Sequence, residues 1–479
     1  MLRDLLKEGG LYTLANLLTK GVSLLLIPFY TAYFSPTDYG IVDILVVFGT
    51  ILTTITSLQL NQGLGRYVGE PSIDEKEKKI LASSAVWFSL ILYCAVFVLL
   101  ILFPHPFIRL LSNEEVQIPV NTFILAVGAV SINGIFYLLG VYLRFLRKTK
   151  PYAVLSFLHA ILNIITTIYL VLYLDKGING IYVASIAVAP AIIILQLISL
   201  KGHLVFALSH EQLKKLFKFC IPLIPAAVAY VALNFIDRIF IKEYLSFEQE
   251  GIYGVANKFA SAISIVVMGF SSALAPILYQ KHNQNWVKSE LGRIFKLFFG
   301  VGTIVVLTLS LFSYETLVIF TQEDYYSAYR VMPLLYLSML FTGIGMFAPG
   351  LHLSERTKII PYIVLISCVI NAILNYLLIS TYHLIGAAFA TSLSVFINNA
   401  IFFYFSQKFF KMEYPLVKML LSSVIFLFFL IGGSYYLFSF NLAQEVQILA
   451  RILIVLIYTF LLIKLDILDL TKLSGILKK

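Results

Sequence analysis

Lys20 stands in a long apolar run near residues 11–33, about ten residues from its start. At 1.5 Å per helical residue that is a depth of ~15 Å, from which an ammonium does not easily snorkel to the surface. A charge held there costs about 2.5 kcal/mol or more unless it meets water or a partner. Two arrangements remove the cost. One is a wet cavity holding an anion such as a diphosphate or an acidic sugar, for which a point charge suffices. The other is an ion pair or hydrogen bonds with a neighbouring helix. Thr13, Asn16, Lys20 and Ser23 recur at three- and four-residue spacing, which makes one polar stripe on a helix. Thr50, Thr54, Ser57 and Asn61 repeat the pattern in a second run near 41–62, with Asp43 at its other end. A run near 217–241 carries Tyr230, Asn234, Asp237 and Arg238, and one near 251–279 carries Tyr253, Asn257, Lys258, Ser261 and Ser264.

The charged members of these stripes each have two readings. Lys258 lies about seven residues from the outer end of its run, so it either faces a cavity or snorkels. Arg238 sits beside Asp237 near an outer end, as an interfacial anchor or local pair, or as a cargo contact. Asp43 and Asp237 are candidates to bind a coupling H⁺ or Na⁺, since carboxylates in membrane segments mark ion pathways. Arg66, at an inner mouth, either meets an incoming anion or only obeys the rule that basic residues stay inside. His159 reads as a hydrogen-bonded packing residue, with no acidic neighbour in sequence to make a proton relay. Cys94, Cys220 and Cys368 are far apart within apolar runs, so neither a metal site nor a disulfide framework is expected.

The elements that carry these residues follow from composition. Hydrophobic residues make up 60% of the 479 and charged ones 13%, too apolar for a soluble surface. The chain reads as an all-α polytopic membrane protein of about fourteen transmembrane helices, the first near 11–33 and the last near 446–464. The runs lack the period-two alternation of a barrel strand. The first is too long, and too interrupted by Asn16 and Lys20, for a cleaved signal peptide. Net charge is +10, but 27 of the 35 Lys and Arg fall on alternate connecting segments with the N-terminus on that side, against 5 on the others. That asymmetry puts both termini in the cytoplasm and accounts for the basic excess without a nucleic-acid partner.

The chain also repeats itself. "YFSPTDYGI" (33–41) returns as "YLSFEQEGI" (244–252), 211 residues later. "LRKTKPYAVLSFLHAILN" (146–163) returns, with small insertions, as "SERTKIIPYIVLISCVINAILN" (354–375). Spans one to six and seven to twelve are therefore expected to be two copies of one six-helix unit, parallel because six is even. The expected division is a lobe at 1–205, a second at 206–410, and two extra helices with a tail at 411–479. Parallel lobes around a central cavity are the architecture of alternating access. Within the two corners, Pro36 and Gly40 read as turn formers.

The "SPTDYG" corner, "NQGLGRYV" closing span two, "NFIDRIFI" closing span seven, "GIYGVANKF" opening span eight, and "RTK" and "IGAAFATS" in spans eleven and twelve together resemble the polysaccharide-transporter family. That family lies in the multidrug/oligosaccharidyl-lipid/polysaccharide exporter superfamily. The resemblance implies a flippase, not an enzyme, that moves an isoprenoid-diphosphate-linked oligosaccharide through the cytoplasmic membrane for cell-surface polysaccharide synthesis. It implies no cofactor beyond a coupling H⁺ or Na⁺, and partners limited to substrate, bilayer and other polysaccharide-assembly proteins. Asn16, Lys20, Asn61, Arg66, Asn234, Arg238 and Lys258 are then the substrate candidates, and Asp43 and Asp237 the ion candidates. The rival is a cation-coupled multidrug exporter of the same superfamily, for which an acidic cavity is expected. Three basic against two acidic residues in the runs favour an anionic cargo. No metal, nucleotide or nucleophile motif appears.

Overall fold

The computed structural model describes residues 21, 24–70, 72–281, 285–354, 356–412, 414–433 and 444–468, with side chains left out at 272–273, 275–281, 285–290, 416 and 444. The described residues are helical or irregular, with no strand among them. They form two compact units, Met1–Gly251 and Ile252–Lys479.

In the first unit the helices are α1 (Ile27–Tyr33), α2 (Pro36–Thr56), α3 (Leu60–Val68), α4 (Glu75–Leu102), α5 (Pro104–Leu111) and α6 (Val120–Phe145). They continue with α7 (Thr149–Leu172), α8 (Gly177–Ser199), α9 (His210–Cys220), α10 (Ile224–Tyr244) and α11 (Phe247–Ala260), which runs into the second unit. The second unit adds α12 (Ile263–Lys281), α13 (Asn285–Leu311), α14 (Ser313–Phe320), α15 (Met332–Ile344), α16 (Gly350–Leu353), α17 (Ile360–Phe409), α18 (Leu416–Ile431) and α19 (Gln444–Lys464). Among the described residues eleven helices are long and apolar enough to cross a membrane, and Val417–Ile431 is a shorter apolar one. Large apolar side chains stand outward, such as Val417, Leu25 and Phe428, as a lipid-facing surface requires. The longest helical stretch, Thr357–Phe409, would be ~80 Å if straight. It breaks at His383, whose φ of 51° and ψ of −135° are not helical.

Local sequence starts these helices where the turn chemistry predicts. The Ser35 hydroxyl accepts from the Asp38 amide at 3.2 Å and the Asp38 carboxylate accepts from the Ser35 amide at 3.2 Å, a reciprocal cap with Pro36 in the first turn. Ser246 does the same work for α11, accepting from the Gln249 amide at 3.1 Å. Gly40 is not in a turn but inside α2, and its role is close packing. A Cβ there would lie 2.1 Å from the Phe247 carbonyl oxygen, and one on Gly251 would lie 1.8 Å from the Pro36 carbonyl oxygen. The two corners thus meet backbone to backbone, at a separation only glycine permits.

The first unit buries two apolar clusters at opposite ends of its long helices. One gathers Leu60, Leu64, Leu81, Leu139, Leu143 and Leu216; the other gathers Ile44, Leu45, Leu100, Phe123, Val127 and Phe247. Between them α2 ends early. Leu58 and Gln59 take φ values of 46° and 56°, left-handed conformations that side chains rarely adopt, and α3 restarts at Leu60. The expected continuous span over 41–62 is therefore a broken helix. In the second unit α13 packs against α12, α15, α18 and α19. Arg451 on α19, 1% exposed, pairs with Glu315 of α14, and the Tyr458 hydroxyl meets that of Thr303 on α13 at 2.9 Å.

Candidate functional site

The break at Leu58–Gln59 opens onto a cavity of about 640 Å³ inside the first unit. Non-helical backbone at membrane depth is tolerated where it lines a cavity. Left-handed residues that persist despite a cost of about 1–3 kcal/mol each point to a working site. α2 contributes Thr50, Thr53 and Thr54, the break adds Ser57 and Gln59, and α3 adds Asn61. Asn133 and Tyr137 come from α6, Asn163 from α7, and Tyr182 and Ser185 from α8. None of the described lining residues is charged.

The hydrogen bonds set what this lining offers. The Thr50 hydroxyl donates to the Val46 carbonyl at 2.8 Å and the Thr54 hydroxyl to the Thr50 carbonyl at 2.7 Å. With their protons committed to the helix, these hydroxyls present lone pairs. The Asn133 amide donates to the Ala129 carbonyl at 2.8 Å and to the Ser185 hydroxyl at 2.6 Å. The Asn61 carbonyl oxygen and the Tyr182 hydroxyl are buried and have no hydrogen-bond partner. A buried polar group left in that state is costly, so both suit a ligand that donates and accepts.

Two turns before Thr50, the same helix carries the opposite kind of chemistry. The Arg238 side chain of α10 donates through Nε to Asp43 at 2.7 Å and through Nη1 to Asp237 at 3.2 Å and to the Asn234 carbonyl at 3.0 Å. Its guanidinium lies 4.8 Å from the Phe235 ring centre. Arg238, Asp237 and Glu250 are 5%, 1% and 0% exposed. Glu250 of α11 interacts with Asp43 side chain to side chain, yet neither of its carboxyl oxygens has a donor. One guanidinium thus faces three carboxyls in a dry corner.

The polysaccharide biosynthesis protein family matches residues 5–282, more than half of the chain. The chain belongs to that family. The MatE family matches residues 222–377. An uncharacterized membrane protein of Methanocaldococcus jannaschii is 26% identical over 419 residues, 82% of this chain and 96% of its own. Among solved structures, the lipid II flippase MurJ in its inward closed conformation superposes with a TM-score of 0.72 at 20% identity, over 94% of this chain and 98% of its own. An inward-facing multidrug resistance MATE family transporter of the MOP superfamily gives 0.68 at 14%, over 81% and 94%. At these identities the likeness is one of fold.

The residues singled out by sequence fall into separate places. Asn61 lines the cavity, and Asp43, Asp237 and Arg238 meet in the charged corner, where the Asn234 backbone also serves. The Asn234 side-chain amide donates to the Tyr230 carbonyl at 2.7 Å. Arg66 is exposed on α3, its guanidinium 4.5 Å from the Phe219 ring centre. Lys258 is half-buried on α11 in the second unit. Asn16 and Lys20 lie outside the described residues. His159 packs by stacking on Phe136, ring centres 4.2 Å apart, and its Nε2 is buried without a hydrogen-bond partner. The packing role was expected; the hydrogen bond at Nε2 is absent. Glu250 was missed, although it stands in the quoted corner "YLSFEQEGI". Asn133, Asn163 and Tyr182 were missed as single polar residues on three different helices.

Proposed function

We propose that this chain is a flippase carrying an isoprenoid-diphosphate-linked oligosaccharide through the cytoplasmic membrane by alternating access, for cell-surface polysaccharide synthesis. The observation behind the proposal is the cavity of α2, α6, α7 and α8, whose described lining is uncharged, in a member of a polysaccharide biosynthesis family. Sugar hydroxyls donate and accept at once. Thr50 and Thr54 offer lone pairs, Asn61 an unpartnered carbonyl, and Tyr182 an unpartnered hydroxyl, while Tyr137 and Tyr182 supply ring faces for the apolar side of a pyranose. Lys20 with Asn16, Arg66 at the inner mouth, and Lys258 are the groups proposed to meet the diphosphate. Arg238 and Asn234 serve the corner.

The proposal includes fourteen spans in two parallel six-helix lobes, 1–205 and 206–410, with 411–479 as two further helices and both termini cytoplasmic. Proteins of polysaccharide assembly are the expected partners. The MatE match favours a second reading, export of small organic cations. That reading asks for a carboxylate in the cavity, and the described lining has none.

Reconstitution in proteoliposomes separates them. Movement of isoprenoid-diphosphate sugars, reduced by Asn61→Leu at unchanged membrane abundance, supports the flippase. Export of organic cations with those lipids left unmoved overturns it.

A further inference from the structure

Glu250 asks for a role that neither the cavity nor the fold supplies. It is fully buried and both carboxyl oxygens lack a donor, in a structure where Ser246, four residues earlier, is spent on an ordinary helix cap. Asp43 faces it from α2, and Asp237 and Arg238 face it from α10. Tyr182 of α8 interacts with Asp43 and with Tyr30 of α1. Lys242, the other cation of α10, is turned away: its ammonium donates to the Leu110 and Ser112 carbonyls at 3.2 and 2.9 Å and lies 3.4 Å from Glu243. Arg238 is already divided between Asp43 and Asp237.

With Glu250 ionised, its carboxylate meets that of Asp43 out of water with no donor of its own, a cost that a buried site relieves by taking up a proton. We propose that the closed corner binds one proton between Glu250 and Asp43, and that losing this proton drives α11 away from α2. The proton makes Glu250 a donor to Asp43, whose other oxygen keeps the Arg238 Nε, so every charge left in the corner has a partner. Without it, Glu250 and Asp43 repel across the same gap, and only withdrawal into water restores hydration. The glycine contact sets how abruptly this happens. Gly40 and Gly251 let the two helix backbones touch, so the corner has a close-packed state and an open state with little room between.

This inference rests on the transporter reading for its purpose but not for its test. Closing takes up a proton, so the closed fraction must fall as pH rises. A single proton changes the closed-to-open ratio by up to tenfold per pH unit. Spin labels at Thr37→Cys and Gln249→Cys, in a chain with Cys94, Cys220 and Cys368 replaced by Ser or Ala and held in lipid nanodiscs, report the α2–α11 separation between pH 5 and 9. The expected result is a short distance at low pH and growth of a longer one as pH rises. Glu250→Gln, which keeps the shape and donates a hydrogen bond without titrating, should hold the short distance at every pH. A wild-type distribution that does not move with pH, or a Glu250→Gln chain that moves as the wild type does, overturns the proposal. Both outcomes are read without cargo, so a failed flipping assay leaves this result standing and the reverse.

Discussion

Helix α2 carries two polar regions built on opposite terms. Near its start, Asp43 joins Asp237, Glu250 and Arg238 in a corner that is charged, dry and glycine-packed. Two turns later, Thr50, Thr53, Thr54 and Ser57 line a roomy cavity whose described walls carry no charge. Charges in a dry corner interact strongly and fix one geometry, whereas hydroxyls and amides around a void interact weakly and tolerate a changing guest. One helix thereby keeps its rigid end apart from its receptive face.

The largest effect should come from removing the corner's cation. Arg238→Ala removes the guanidinium that Asp43 and Asp237 share, and breaking such a buried pair costs about 3–5 kcal/mol. A lower thermal midpoint in detergent and a lower membrane yield are expected; a midpoint equal to wild type would mean the corner is solvated. Next comes Gly40→Ala, whose Cβ would lie 2.1 Å from the Phe247 carbonyl. Overpacking of this kind costs about 1–3 kcal/mol, and the substitution should favour the longer α2–α11 distance at all pH values. The cavity should respond in a different currency. Tyr182→Phe removes a hydroxyl with no protein partner, so stability should hold or rise slightly while flipping falls ~10-fold, the worth of one ligand hydrogen bond. Equal loss of stability and transport would erase the contrast between the two regions.

The smallest effect tests charge that is not buried. Asp466, exposed beyond α19, accepts from Lys296 at 3.0 Å and Lys418 at 3.1 Å, and these ammonium groups hold its carboxyl below the usual aspartate range. The folded chain then binds fewer protons there than the unfolded chain. Its contribution is complete above the ordinary value of about 3.9 and fades as pH falls through the depressed folded one. Asp466→Asn should lower the thermal midpoint slightly at pH 7, and by progressively less as pH falls below the ordinary aspartate range.

What the sequence made legible follows the range over which each signal acts. Ser35 with Asp38, and Ser246 with Gln249, are local hydrogen bonds, so both corners were readable as helix boundaries. The stripe of Thr50, Thr54, Ser57 and Asn61 was read along one helix, and its four members do line the cavity although the break puts Asn61 on α3. The break at Leu58–Gln59 left no trace, because neither residue is a turn former. Asn133, Asn163 and Tyr182 become a lining only when α6, α7 and α8 assemble. Gly40 was read as a turn residue because a local pattern cannot display a neighbour that arrives 207 residues later, as Phe247 does. Glu250 was hidden by its setting: beside Glu248 and Gln249 it looked like the polarity of an exposed corner.

The left-handed pair at Leu58 and Gln59 bears on how this chain can be engineered. Glycine would adopt those angles with little strain, so Gln59→Gly should raise heat resistance by removing about 1 kcal/mol of backbone strain. Gln59 also borders the cavity, and the same change deletes an amide from its wall. A thermostability screen scored on yield alone would therefore favour a substitution that an activity screen rejects, and the position where the two rankings diverge would mark the wall that cargo touches.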